Sequence, residues 1–163
     1  MNIYLIGMMG SGKTTVGIIL SEKLKKPFIN LDSEIEKSAG KTISEIFDEK
    51  GENHFRLLES EKLITFSESV IACGGGVILT KKNRQYIKGN GIAVLLKATV
   101  EELSRRLKDS DNRPLLADEI SETVLKNIWL KRQMNYLNTA NFFIETDEKH
   151  PANIADEIIS KLN

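Results

Sequence analysis

The sequence has no excess of charge of either sign. Its 163 residues include 23 lysines and arginines and 23 aspartates and glutamates, so the formal net charge at pH 7 is zero. Without a net field, nothing holds the whole chain against nucleic acid or an anionic membrane surface. We therefore expect neither of these as a partner, and any phosphate binding must come from a local group of residues.

Cysteine and long apolar segments are also scarce. The one cysteine, Cys73, cannot form an internal disulfide, and its place after an apolar segment predicts a small buried side chain. The start, MNIYLIGMMG, has no basic stretch and only a short apolar run, so it does not resemble a secretory leader. No segment has the length of a transmembrane helix. These absences favour a reducing, cytoplasmic setting, and the length favours one compact domain over residues 1–163.

Short apolar segments rich in β-branched residues predict five β-strands. They are Asn2–Ile6, Pro27–Leu31, Ser69–Cys73, Ile92–Leu96 and Phe142–Glu145. Helical patterns separate them, including Thr14–Lys25, and the capping signature Thr-x-x-Glu marks helix starts at Thr99 and Thr42. This alternation predicts an α/β fold of three layers, α/β/α. Its five-stranded parallel sheet would carry a ligand site at the carboxyl ends of the strands.

A phosphate-binding loop follows the first predicted strand. The motif G-x-x-x-x-G-K-[ST] is matched by Gly7, Gly12, Lys13 and Thr14, directly between a strand and a helix. In such a loop, glycines let backbone N–H groups turn toward the phosphates, the lysine adds a charge, and the threonine hydroxyl can reach Mg²⁺. The alternative is a glycine-rich turn before an ordinary helix, which the position of the match disfavours. The sequence therefore predicts a nucleotide site.

Two classes of phosphate-loop protein lack support in the rest of the chain. The motif D-x-x-G of GTPases occurs at Asp48–Gly51, but as the expected end of a surface helix, and N-K-x-D is absent. A motor or other ATPase requires an acidic residue at the end of an apolar strand. The strand before Cys73 ends instead in three glycines, Gly74–Gly76. These indicate that the backbone comes very close to another group, with a bound substrate as the first candidate and a tight turn as the alternative.

Three charged residues are candidates for the acceptor side of the site. Asp32 follows the second predicted strand, where a carboxylate can orient an attacking hydroxyl toward the γ-phosphate or cap the next helix. Arg56 and Arg132 lie on predicted helices, and two guanidinium groups that meet at one point would bind a carboxylate. By spacing alone, a solvated surface position is the favoured explanation for both arginines.

Taken together, these residues resemble the shikimate kinase family, small phosphate-loop kinases related in fold to nucleoside monophosphate kinases. The resemblance runs nearly end to end and rests on GMMGSGKTT, NLDSEIEKSAGKTISEIF, GENHFRLLE, CGGGV, NRPLL and the spacing of Arg132 and Tyr136. It implies transfer of the ATP γ-phosphoryl group to the 3-hydroxyl of shikimate, on the route to chorismate and aromatic amino acids. We expect a monomer that uses one Mg²⁺ ion with ATP. The alternatives are a kinase for another small hydroxy acid such as gluconate, and a degenerate nucleotide-binding regulatory domain.

The resemblance also implies the nucleotide side of the site. The ATP phosphates would be held by Gly10, Ser11, Gly12, Lys13, Thr14 and Thr15. Thr14 would be the direct Mg²⁺ ligand, and Arg106 would lie against the adenine. Arg113 would close over the phosphates from a mobile lid at Lys108–Asp118 and would be catalytic together with Lys13 and Asp32.

On the acceptor side, the resemblance implies a pocket for shikimate. Its residues would be Asp32, Arg56, Gly75, Gly76 and Arg132. Asp32 would hold the substrate hydroxyls, while Arg56 and Arg132 would bind the carboxylate. Glu59 would support Arg56 as its partner.

One position departs from the family pattern, which usually has Asp-x-Asp at the end of the second strand. This chain has Asn30, Leu31 and Asp32, so an asparagine stands at the first acidic position. The first acid normally helps to hold Mg²⁺ through water. An asparagine keeps an oxygen acceptor but loses the charge, so we expect weaker Mg²⁺ binding without loss of activity.

Overall fold

The computed structural model describes residues 1–109 and 121–162. Within them, five strands form one sheet: β1 (Asn2–Ile6), β2 (Phe28–Asn30), β3 (Val70–Ala72), β4 (Gly91–Lys97) and β5 (Phe142–Glu145). Their order is β2-β3-β1-β4-β5, and every neighbouring pair is parallel. Each predicted strand is found, with its limits displaced by at most one residue.

Helices connect the strands. In the described residues they are α1 (Lys13–Leu24), α2 (Leu31–Ala39), α3 (Ile43–Leu63), α4 (Lys81–Asn90), α5 (Val100–Lys108), α6 (Glu122–Thr139) and α7 (Pro151–Leu162). A 3₁₀ turn, Val77–Leu79, leads from the glycines after β3 to α4. Parallel strands need such crossovers, and they leave the carboxyl ends of the strands at one edge.

Two helices, α3 and α5, begin where the Thr-x-x-Glu signatures predicted, but only α3 has the complete capping box. Thr42 and Glu45 form a complete capping box at the start of α3. At α5, the Thr99 side chain accepts a hydrogen bond from the Glu102 backbone N–H, but the Thr99 N–H donates to Asp147. The second half of that box is therefore supplied from the loop after β5, which ties this loop to α5.

The prediction that a helix ends at Asp48–Gly51 is confirmed in part, because two helical segments of α3 meet there at a kink. Gly51 has φ 79° and ψ 171°, outside helical values, but the chain resumes its helix immediately and continues to Leu63. The glycine therefore marks a kink inside α3, and the second half of this helix carries Arg56 and Glu59 toward the sheet edge.

Two apolar clusters cover the two faces of the sheet. Successive residues of β1 alternate between them, with Tyr4 and Ile6 in one cluster and Ile3 and Leu5 in the other, as the period of a strand requires. Helices α1 and α7 pack on the second face, and α2 to α6 pack on the first. The predicted three-layer α/β/α fold is confirmed. No helix among the described residues is long and apolar enough to cross a membrane.

Candidate active site

A cleft of about 740 Å³ opens at the carboxyl ends of β1, β2 and β3. Of the predicted site residues, those that line it are Gly10, Gly12, Lys13, Thr14, Thr15, Asp32, Arg56, Gly75, Gly76, Arg106 and Arg132. Ser11, within the phosphate loop, is buried with 1% of its surface exposed. Arg113 and residues 110–118 of the predicted lid lie outside the described residues.

The phosphate loop runs from the end of β1 to the first turn of α1. Gly12, with φ 91°, immediately precedes that helix in a left-handed conformation that favours glycine. The Lys13 ammonium donates hydrogen bonds to the carbonyl oxygens of Gly7 and Met8 at 2.9 and 2.8 Å. A cation and a helix N-terminus therefore meet at one end of the cleft, an arrangement suited to phosphate.

The end of β2 is joined to this loop by Asn30. Its Nδ2 donates to Thr14 Oγ1 at 3.3 Å, and its Oδ1 accepts from the Ser33 backbone N–H at 3.1 Å. Asn30 is therefore the N-cap of α2, and the alternative role of Asp32 as that cap was wrong. Asp32 lies instead in the first turn of α2, where the partial positive charge of the helix terminus favours a carboxylate.

The glycines after β3 make room for charged side chains of the protein itself. A Cβ on Gly74 would lie 2.7 Å from Asp32 Oδ1 and 3.1 Å from Glu59 Oε1. A Cβ on Gly76 would lie 2.5 Å from Arg56 Nη1 and 2.6 Å from its Cζ. Another group therefore does come very close to the backbone at Gly74 and Gly76, as expected. The sequence had suggested a bound substrate as the first candidate for that group, but at these two positions it is a side chain of the protein itself.

Gly75, between them, is held from α6. Its carbonyl oxygen accepts from Arg132 Nη1 at 3.3 Å and from the hydroxyl of Tyr136. Tyr136 is fully buried, which raises its pKa to about 12, and its ring stacks on Trp129 at 6.0 Å between centroids. Arg132 and Tyr136 share a helix face because they are four residues apart, and this face fixes the glycine turn.

Arg56 is fixed by carboxylates on its own helix. Its Nη1 donates to Glu59 Oε2 at 2.8 Å, and its Nη2 forms an ion pair with Glu52 at 3.2 Å. Glu59 is fully buried, and burial raises the pKa of its carboxyl to about 7 although Arg56 opposes the shift. Arg56 and Arg132 thus flank the same glycine turn, and the surface interpretation that spacing alone had favoured is wrong for both.

Arg106 lies beside the phosphate loop, and its guanidinium is held by several hydrogen bonds. It donates to Glu102 at 2.7 Å, to the side-chain and backbone oxygens of Thr146 at 3.1 and 2.9 Å, and weakly to the Gly10 carbonyl. Its guanidinium therefore joins α5 to the phosphate loop and to the end of β5. Sequence reasoning missed Thr146, since no motif marks it.

The described residues fit a metal ion that arrives with a nucleotide. Among residues 1–109 and 121–162, no three His, Cys, Asp or Glu side chains are grouped to hold a metal. Mg²⁺ characteristically takes one or two protein oxygens together with phosphates and waters. The Thr14 hydroxyl, in the first turn of α1, is such an oxygen. Cys73 is buried as expected, and burial raises the pKa of its thiol far above the usual value, which disfavours the thiolate that a nucleophilic role would require.

Comparison with known proteins identifies the family. The family model for shikimate kinase matches residues 9–163. The chain belongs to the shikimate kinase family. A shikimate kinase of Thermodesulfovibrio yellowstonii is 42% identical over 163 residues, which cover 98% of this chain and 94% of that protein. The resemblance inferred from the sequence is confirmed.

Among solved structures, some resemble this chain in both sequence and fold, and others resemble it in fold alone. The structure of a shikimate kinase from Acinetobacter baumannii in complex with shikimate has a TM-score of 0.91 at 39% identity, covering 99% of this chain and 92% of that chain. A gluconokinase from Sinorhizobium meliloti has a TM-score of 0.60 at 17% identity, covering 99% of this chain and 90% of that chain. At that identity the second likeness shows a shared fold alone.

Proposed function

We propose that this protein transfers the γ-phosphoryl group of ATP to the 3-hydroxyl of shikimate, a step toward chorismate and the aromatic amino acids. The observation that carries the proposal is the pair Arg56 and Arg132, which flank one glycine turn in the cleft that also contains the phosphate loop and Asp32. An acceptor with one carboxylate and a nearby hydroxyl matches this distribution of charge. The protein would act as a cytoplasmic monomer of one kinase domain, with acceptor-binding helices at about residues 32–60.

On the nucleotide side, the loop would bind the phosphates through its backbone and through Lys13. The residues proposed for this are Gly10, Ser11, Gly12, Lys13, Thr14 and Thr15. Mg²⁺, one ion per subunit with ATP, would be held by Thr14 and would neutralise charge on the transferring group. Arg106, already fixed by Glu102 and Thr146, would present its guanidinium to the adenine without losing further side-chain freedom.

On the acceptor side, Asp32 would align the hydroxyl for attack. Its carboxylate lies in the first turn of α2 and beside Gly74, and as a carboxylate it would accept a hydrogen bond from the acceptor hydroxyl. Arg56 and Arg132 would bind the carboxylate of the acceptor next to Gly75 and Gly76. Since the arginines are fixed by Glu59 and by the Gly75 carbonyl, little side-chain entropy is lost on binding.

Exclusion of water would complete the site. Water competes with the acceptor hydroxyl for the γ-phosphoryl group, and closure of a segment over the phosphates removes it. Residues 108–118, with Arg113, are the proposed lid, and this assignment stays a prediction. Arg113 would add positive charge at the transferring group, as an arginine finger does.

The test is a coupled assay of ADP release with shikimate and, separately, gluconate as acceptor. Arg132→Ala should raise the KM for shikimate at least about tenfold, since charge-assisted hydrogen bonds to a carboxylate contribute about 1.5–3 kcal/mol. Its KM for ATP should stay within about twofold of the parent value. Lys131→Ala, an exposed cation on the same helix, is the matched control and should leave both constants unchanged.

The outcomes separate the candidate functions. An unchanged KM for shikimate in Arg132→Ala would remove that arginine from the acceptor site. Turnover of gluconate in place of shikimate would assign the cleft to another hydroxy acid. Binding of ADP without turnover of either acid would indicate a regulatory nucleotide-binding domain.

A further inference from the structure

The side-chain amide of Asn30 has one defined orientation. The backbone N–H of Ser33 can only donate, so the atom that accepts from it at 3.1 Å is the amide oxygen. The amide nitrogen therefore occupies the opposite side of the group, 3.3 Å from Thr14 Oγ1 in the first turn of α1. The requirement of the α2 N-terminus for a cap thus determines which end of Asn30 faces the phosphate loop.

This orientation places a neutral donor where the nucleotide is to bind. An N–H group cannot ligate a cation, and it cannot accept a hydrogen bond from metal-bound water. It can donate to the Thr14 hydroxyl oxygen or to a phosphate oxygen beside it. The oxygen acceptor expected of Asn30 is present, but it is directed to the start of α2, where it accepts from Ser33, and the amide nitrogen is the atom that faces Thr14.

Two cationic side chains line the cleft together with Asn30. The Lys13 ammonium and the guanidinium of Arg106 line the same end of the cleft. The carboxylate of Asp32 faces Gly74, on the acceptor side, and Glu36 is engaged with the backbone N–H of Ile43. A nucleotide without metal carries more negative charge than its Mg²⁺ complex. In this cleft it would meet the cations Lys13 and Arg106 and, at position 30, an amide N–H donor in place of a carboxylate.

We propose that Asn30 is a selectivity residue that allows this phosphate loop to bind metal-free nucleoside diphosphates and triphosphates nearly as well as their Mg²⁺ complexes. Its amide N–H stands where a carboxylate would repel bare phosphate oxygens and attract the hydrated metal. Phosphoryl transfer itself would still use Mg²⁺. The inference rests on the proposed function only in taking an adenine nucleotide as the ligand, and it is independent of the acceptor.

Calorimetric titration with ADP, once with excess Mg²⁺ and once with EDTA, tests the inference. In the parent, the two dissociation constants should agree within about fivefold. In Asn30→Asp, metal-free ADP should bind at least about tenfold more weakly than in the parent. A tenfold loss is near the lower end of the repulsion expected between a phosphate charge and one added carboxylate about 4 Å away near a protein surface. The Mg²⁺ complex should bind equally well or more tightly. Since aspartate is as good an N-cap as asparagine, the start of α2 should be preserved.

Two further variants separate charge from hydrogen bonding. Asn90→Asp makes the same chemical change at an exposed site beside the first residue of β4, at the opposite edge of the sheet, and should leave the ratio of the two constants unchanged. Asn30→Ser retains a capping oxygen but replaces the amide N–H toward Thr14 with a shorter hydroxyl group. It should weaken the binding of metal-free ADP by a few fold, without the larger effect of an added charge.

The inference fails if the parent binds metal-free ADP more than about a hundredfold less tightly than its Mg²⁺ complex. It also fails if the ratio of the dissociation constants of ADP without and with Mg²⁺ is the same in Asn30→Asp, in the control Asn90→Asp and in the parent. Shikimate is absent from these titrations. A wrong acceptor would therefore appear as missing turnover with intact ADP binding, whereas a wrong role for Asn30 would appear in the ratio while turnover persists.

Discussion

Replacement of Gly76 by alanine provides a direct test of how the acceptor site is built. Gly76 has φ −98° and ψ 1°, values that alanine adopts without strain. The added Cβ would lie 2.5 Å from Nη1 and 2.6 Å from Cζ of Arg56, and closer still to its Nη2. An ordinary contact requires about 3.5 Å, so the guanidinium must withdraw by roughly 1 Å. The variant therefore moves one binding group while the backbone remains in place.

The displacement should reduce substrate binding more than stability. Arg56 is a flexible side chain and can move, but it is tied to the buried Glu59 at 2.8 Å and to Glu52 at 3.2 Å. Misplacement of a binding group by 1 Å can reduce activity by up to about a hundredfold. We expect a rise of about ten- to a hundredfold in the KM for shikimate and no change in the KM for ATP.

Steady-state kinetics with shikimate varied at saturating ATP, and then the reverse, give the two constants. Gly75→Ala is the comparison, because a Cβ there would meet no atom closer than 3.6 Å, and its effect on the KM for shikimate should be clearly smaller. Equal effects of the two substitutions, or a rise confined to the KM for ATP, would refute the assignment of Gly76 as the space that Arg56 requires.

Two predictions concern stability. Burial raises the pKa of Glu59 from 4.5 to about 7, so the folded state binds the additional proton and the free energy of unfolding should fall as pH rises through that interval. Urea unfolding at several pH values should show this fall in the parent and its loss in Glu59→Gln. Gly17→Ala would place a Cβ 2.5 Å from the Phe28 ring and should cost about 1–3 kcal/mol. Gly89→Ala, with no atom within 4 Å of its Cβ, should be neutral or stabilising by up to about 1 kcal/mol in the same experiment.

The sequence determined the features that depend on neighbouring residues. Strand limits followed from apolar segments, and the capping box at Thr42 followed from Glu45 three residues later. The phosphate loop was evident because its chemistry is contained in one short segment between a strand and a helix. Family membership followed because several such segments occur in one order along the chain.

Tertiary structure decided which distant residues meet. The order β2-β3-β1-β4-β5 brings the ends of β1, β2 and β3 to one cleft, and only there do Arg56 and Arg132 flank the same turn. Spacing could not show this, because an isolated arginine on a helix has the same local pattern at the surface and in a site.

The glycines and Asn30 illustrate the same division. Three successive glycines predicted a close approach, but that the approach is to Asp32, Glu59 and Arg56 depends on how α2 and α3 pack against β3. The sequence placed an amide at position 30. Which end of that amide faces the phosphate loop was decided by the Ser33 N–H at the start of α2, since a hydrogen bond has a direction that composition alone does not specify.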